Sequence, residues 1–287
     1  IEQYRSTFMA MYPATQVIVT VGPQLNWNGA ITAGGSGREH LLNQISSMRQ
    51  SAAADFNEYY YGIFNPTQTA QGFCGGGCVA GLGFIGQPCS EYTRAAIGLG
   101  FGGDFSTGTA AHELGHNHGR PHSPCGGVSG ADPNYPHSGG AIGEWGMDIF
   151  AKTLFAPSTK DYMGYCDPVW ISDYCYEKVL DFMQATASND IYVAPEEQHQ
   201  PYDRINVGLD GEAFLDPLVM KRPPMGPQKT VTVTTADGTT KQVTGTYFAY
   251  DHIDGGVLFL KQSQSPVVNV SFDVIKSGVL EQIQLAR

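Results

Sequence analysis

The sequence predicts a mixed α/β domain over residues 1–195, followed by a small all-β domain over 196–287. Three observations predict it. Helical and strand-like apolar periods alternate through the first part. Short β-branched runs dominate the second. Between them lies the Pro-, Gln- and Glu-bearing stretch Ala194-Pro195-Glu196-Glu197-Gln198.

In chain order, residues 16–21 (Gln-Val-Ile-Val-Thr-Val) read as a buried strand closed by Gly22-Pro23. Leu41, Leu42, Ile45, Met48, Ala52 and Phe56 recur at helical spacing and predict an amphipathic helix over 38–56. Strands are expected at 59–64 and 95–101, on either side of a Gly- and Cys-rich stretch at 72–90, and a helix over 106–118. Residues 123–171 are rich in Gly and Pro and weakly periodic. Such a long irregular segment is usually functional or disordered, and its aromatic and cysteine content argues against disorder. Ser172 is a fitting N-cap for a last helix through about residue 184. Beyond 200, alternating runs at 230–234, 256–260 and 267–272, with Asp237-Gly238 as a hairpin turn, predict a sandwich-like domain.

The chain has 287 residues and a net charge of −11, from 16 basic and 27 acidic side chains. An acidic chain with no Lys/Arg block is a poor partner for nucleic acid or anionic membrane. No apolar run approaches the roughly 18 residues of a membrane span. Ile1-Glu2-Gln3-Tyr4-Arg5 does not read as a leader, so any signal peptide or pro-segment is expected to have been removed or to lie outside this sequence. Six cysteines, Cys74, Cys78, Cys89, Cys125, Cys166 and Cys175, favour three disulfides and an extracellular setting. The spacing alone leaves the pairing open; Cys166 with Cys175, closing around a turn, is the first expectation. Cys74-Gly-Gly-Gly-Cys78 lacks the second pair that a metal site would need.

The chemistry concentrates in residues 112–122, His-Glu-Leu-Gly-His-Asn-His-Gly-Arg-Pro-His. His112 and His116, four apart on a helix, lie one turn apart on one face. That spacing lets both imidazoles reach one Zn²⁺ at about 2.0–2.1 Å. Gly119 can take positive φ and turn the chain back, so that His122 supplies a third ligand. Three protein ligands leave one position open, which is the catalytic pattern. Glu113 adjoins the first ligand and can serve as general base. His118, two residues past His116, points elsewhere and reads as a packing or surface histidine.

These eleven residues match the signature His-Glu-x-x-His-x-x-Gly-x-x-His, and the chain here resembles the metzincin zinc metalloproteases. The resemblance implies an active-site helix against a twisted mixed sheet, and a methionine turn beneath the metal. Asp161-Tyr162-Met163-Gly164-Tyr165-Cys166 resembles that Met-turn. A tyrosine two residues after this Met helps at the metal or the oxyanion in astacins and serralysins, which implies the same role for Tyr165. Ser123 follows the third histidine where astacins carry Glu, serralysins Pro and adamalysins Asp; Leu114-Gly115 and Asn117 resemble the adamalysins. The wider pattern is similar to bacterial secreted metzincins, among them the M66 group, some of which attack heavily glycosylated proteins. The likeness is specific over 106–166, compatible over 1–190, and does not cover 200–287.

The resemblance implies a secreted endopeptidase acting on a polypeptide or glycoprotein substrate with one catalytic Zn²⁺. The competing class is a non-catalytic zinc-containing binding or adhesion protein; an intact Glu113 speaks against it. Residues 79–84 are the candidate edge strand for a peptide, and 167–171 the candidate wall of a side-chain pocket. Asp132, Asn134, Asp148 and Asp161 could offer oxygens to Ca²⁺, but without a compact calcium loop surface solvation is the plainer reading.

Overall fold

A computed structural model describes residues 1–52, 54–188, 193–276 and 279–286. The first part is built on a three-stranded sheet, β1 (Tyr60–Phe64), β2 (Gly81–Leu82) and β3 (Ala95–Leu99), in the order β1-β3-β2. β1 runs parallel to β3, and β2 antiparallel at the edge. Side chains alternate across a strand. Ile97 therefore meets Ile45 of α2 (Arg38–Ser51), while Gly98 faces Thr109 of α4 (Gly103–Asn117). The two helices thus cover opposite faces, and α1 (Glu2–Met11) packs on α4. A short α3 (Ala70–Cys74) lies between β1 and β2. Two small strand pairs follow, β4 (Gly146–Asp148) with β5 (Thr153–Phe155) and β6 (Lys160–Asp161) with β7 (Val169–Trp170). Then comes α5 (Asp173–Ser188). The Ser172 hydroxyl accepts from the Cys175 N–H at 3.0 Å, so the predicted cap forms.

Residues 16–21 are in no sheet. Ile18 and Val21 are 77% and 76% exposed. A β-branched run becomes a strand only where an edge accepts its backbone and a core its side chains, and this run meets neither. Helix α1 was not foreseen.

From residue 200 the chain forms one curled antiparallel sheet, not the two sheets of a sandwich. Its strands are β8 (Gln200–Val207), β9 (Ala213–Met220), β10 (Gln228–Thr235), β11 (Thr240–Ala249), β12 (Gly256–Lys261), β13 (Val267–Lys276) and β14 (Val279–Ala286), in the order β14-β13-β10-β11-β12-β8-β9. The outer strands β14 and β9 approach each other. The concave face encloses Ile205, Val231, Val233, Leu258, Leu260, Phe272 and Ile283. The Asp237-Gly238 turn forms as predicted, with Gly238 at φ 84° and the Asp237 carboxylate accepting from the Thr239 N–H at 2.9 Å.

The central strand β12 explains why a second sheet is unnecessary. Leu258 and Leu260 fill the concave face, while Val257 and Phe259 point the other way. There they join Tyr202, Met220, Phe248 and Tyr250 against Leu41, Leu42, Phe84 and Tyr92 of the first part. One apolar core therefore spans the 195/196 boundary.

Two disulfides form, Cys74–Cys78 and Cys125–Cys166; Cys89 and Cys175 are free thiols. The expected Cys166–Cys175 bridge and third disulfide are thus corrected. Cys175 faces the interior from the first turn of α5, its thiol donating to the buried Asp161 carboxylate at 3.5 Å, while Cys166 lies beside Cys125.

Titrating the unfolded, unreduced chain should accordingly find two thiols among the six cysteines; four or more would refute the Cys125–Cys166 pairing or its companion. The shared core predicts a single calorimetric unfolding transition for the whole chain. Phe259→Ala, at a side chain 1% exposed, should lower its stability by about 3–5 kcal/mol. Two separate transitions, only one of them shifted, would contradict the shared core.

Candidate zinc site

The predicted ligands meet because three turns of chain are held by specific hydrogen bonds. α4 carries His112, Glu113 and His116. Gly119, at φ 76°, ends it, its N–H donating to the His116 carbonyl at 2.8 Å. The chain then doubles back to His122, whose carbonyl accepts from the Asp132 N–H at 2.8 Å. Beneath lies the turn Asp161–Gly164, closed by Gly164 N–H to Asp161 O at 3.0 Å. The buried Asp161 carboxylate braces it, accepting from Met163 N–H at 2.8 Å and Ser172 N–H at 2.9 Å. Met163 is fully buried at a point where a side chain on Gly115 would strike its sulfur. The Cys125–Cys166 bridge ties the loop after His122 to this turn.

Each of the three imidazoles puts Nδ1 against a backbone carbonyl: His112 to Tyr162 O at 2.8 Å, His116 to Arg120 O at 2.6 Å, His122 to Ser129 O at 2.7 Å. A carbonyl only accepts, so each Nδ1 carries the proton and each Nε2 a lone pair. The Nε2 atoms of His112 and His116 face each other at 3.1 Å. Two lone pairs at that distance repel unless a cation lies between them, and the donor set suits Zn²⁺. Burial also holds the pKa of His116 down to about 3 and that of His122 to about 4, keeping both neutral as a metal requires.

Glu113 is 1% exposed; burial raises its pKa to about 8, against the opposing pull of His252. Gly81 of the edge strand lies so close that a Cβ there would stand 2.3 Å from Glu113 Oε1. The Tyr165 hydroxyl is 3.2 Å from His122 Nε2, and burial pushes its pKa above the ordinary tyrosine value. His118 is a packing residue, as read: it donates from Nδ1 to Leu114 O at 2.6 Å and stacks on Tyr59.

Two residues of the site escaped the sequence reading. Asp251 and His252 enter from the turn between β11 and β12. His252 Nε2 lies 3.0 Å from Glu113 Oε1, and its Nδ1 2.6 Å from the Tyr165 hydroxyl. Asp251 accepts from the Gly83 N–H at 3.0 Å and approaches His116 Nε2 at 3.7 Å. Burial disfavours the His252 cation, but the Asp251 and Glu113 carboxylates outweigh it and raise the pKa to about 9. The His252 cation, with the Gly83 N–H, holds Asp251 well below the usual carboxylate range despite its burial. The one signal was a polar Asp-His pair between two apolar runs, with no spacing to link it to 112–122.

Other expectations need correction. Residues 79–84 do contain the edge strand, but Leu82 and Phe84 are fully buried and Phe84 bridges Tyr250. Trp170 is a core residue stacked on Phe155 at 4.3 Å, not an open pocket wall. The calcium candidates form no cluster among the described residues. Asp132 is engaged by Asn134 N–H and Tyr174 O–H, Asp148 by the N–H groups of Phe150 and Ala151, and Asp161 by its turn.

Comparison with known proteins bears on the same residues. The family model of Peptidase M66 matches residues 88–190, and that of the metallo-peptidase family M12B, reprolysin-like, matches 37–123. No curated protein and no solved structure matches the chain. Two metallopeptidase family models thus overlap on the helix that gathers His112, His116 and His122, and the chain, similar to each over part of its length, is a zinc metalloendopeptidase.

Proposed function

We propose that the chain is a secreted endopeptidase that cuts extracellular proteins or glycoproteins, with zinc held by His112, His116 and His122. The observation that carries this reading is the set of three Nδ1–carbonyl hydrogen bonds, which leaves three Nε2 lone pairs turned toward one point. Zinc bound there would supply Lewis acidity toward water and the scissile carbonyl. Glu113, beside the ligands and not among them, takes the proton from the attacking water and later delivers it to the leaving amine. The Tyr165 hydroxyl donates to the oxyanion that develops on the carbonyl. Asp161-Tyr162-Met163-Gly164 serves as the Met-turn, an apolar floor under the imidazoles.

Residues 1–195 act as the peptidase domain, and 196–287 as an accessory domain whose Asp251 and His252 reach over the site. Two disulfides favour an extracellular setting, and no helix among the described residues is long and apolar enough to cross a membrane. A purely adhesive role is disfavoured because Glu113 is present beside the ligand cluster, where a general base for hydrolysis would stand.

Glu113→Ala should lower peptide turnover by about 10²–10⁴ while leaving zinc content unchanged. Retained turnover at full zinc occupancy would remove Glu113 from the mechanism. Tyr165→Phe should lower kcat and kcat/KM together by about 10²–10³, with KM nearly constant, the mark of a contact made only in the transition state. A loss of only a few-fold would make Tyr165 a packing residue.

A further inference from the structure

The fourth histidine, His252, stands at the same spacing as the other three, with Nδ1 toward the Tyr165 hydroxyl at 2.6 Å and Nε2 toward Glu113 Oε1 at 3.0 Å in place of a backbone carbonyl. The ring centres of His112, His116 and His122 are 4.8, 5.4 and 4.7 Å apart. His252 lies 5.1, 5.1 and 4.9 Å from the same three. Four imidazoles bound tetrahedrally at 2.0–2.1 Å would hold their ring centres about 5.2 Å apart. All six separations fall near that value. One ring nitrogen from each of the four lies within 4.8 Å of the others. Among the described residues no other group of four metal-binding side chains is brought together.

The turn that carries His252 also lies where a peptide substrate would run. β2 is the edge of its sheet, and beyond it Phe84 forms an antiparallel bridge with Tyr250. The Gly83 N–H, which an added strand could use, is taken by the Asp251 carboxylate. The turn is anchored: Tyr250 is buried in the shared core with its hydroxyl accepting from Asn43 Nδ2 at 3.1 Å, and its N–H donates to Gly255 O at 3.3 Å. With it in place Glu113 and His116 are sealed from solvent, at 1% and 0% exposure.

We propose that His252 is the fourth zinc ligand of a self-closed resting state, in which the turn Tyr250–Gly255 occupies the substrate cleft until a peptide displaces it. This rests on the zinc-peptidase reading. To bind, His252 Nε2 releases its proton to solvent and exchanges the Glu113 carboxylate for the metal; four protein ligands then close the zinc site, whereas hydrolysis needs an open position. The turn must therefore withdraw for catalysis, and the C-terminal segment is a competitor for the cleft as well as its roof.

Zinc-edge X-ray absorption on the full chain loaded with one equivalent of zinc tests this directly. The expected result is four imidazoles in the wild type, and three plus a lighter oxygen donor in His252→Ala. His252→Gln, which keeps a donor toward Glu113, should also show three. Zinc affinity should fall by more than about tenfold in both variants. KM for a peptide should fall by about tenfold or more in His252→Ala, because an open state populated at roughly 10% or less no longer taxes binding. Three imidazoles in the wild type, unchanged in the variants, would overturn the fourth-ligand assignment alone. A wild-type chain that binds no zinc would overturn the zinc reading and this proposal together.

Discussion

Three carbonyl oxygens, those of Tyr162, Arg120 and Ser129, decide which way three imidazoles face. Each belongs to a different piece of chain: the turn beneath the helix, the reversal after Gly119, and the irregular loop beyond His122. Fixing Nδ1 as the donor leaves Nε2 no choice but to look inward, and the approach of His112 and His116 Nε2 to 3.1 Å then calls for a cation. The surrounding devices serve this arrangement. Asp161 holds its turn through two buried N–H donors, and the Cys125–Cys166 bridge pins the turn to the loop after His122.

The second constraint is the single core across residue 195. A sheet whose central strand is buried on both faces cannot stand beside the first part of the chain as an independent module. Val257 and Phe259 need Leu42, Phe84 and Tyr92 as much as Leu258 and Leu260 need their own concave face. Packing β12 there sets the β11–β12 turn over the histidine cluster and delivers Asp251 and His252. Position and chemistry follow from the same burial, about which the motif at 112–122 says nothing.

What could be read in the sequence was local. His112 and His116 were legible because a helix converts a four-residue spacing into a shared face, and Gly119 because only a chain reversal brings His122 back. The Asp237-Gly238 hairpin and the Ser172 cap were equally local. The failures were contacts between distant segments. The run at 16–21 has strand composition but found no edge. Cys166 met Cys125, 41 residues away, instead of its neighbour in sequence. Val257-Leu258-Phe259-Leu260 read as an apolar run, but not that its two faces would serve two cores. His252, 139 residues from Glu113, entered the site by tertiary packing alone.

Metal stoichiometry measured alongside activity tests the central claim most directly. The account predicts one zinc per purified full chain, peptidase activity lost on chelation and restored by one equivalent of zinc, and no zinc retained by the His112→Ala/His116→Ala double variant. Peptide cleavage by a chain stripped of metal, or full zinc content in that double variant, would contradict it.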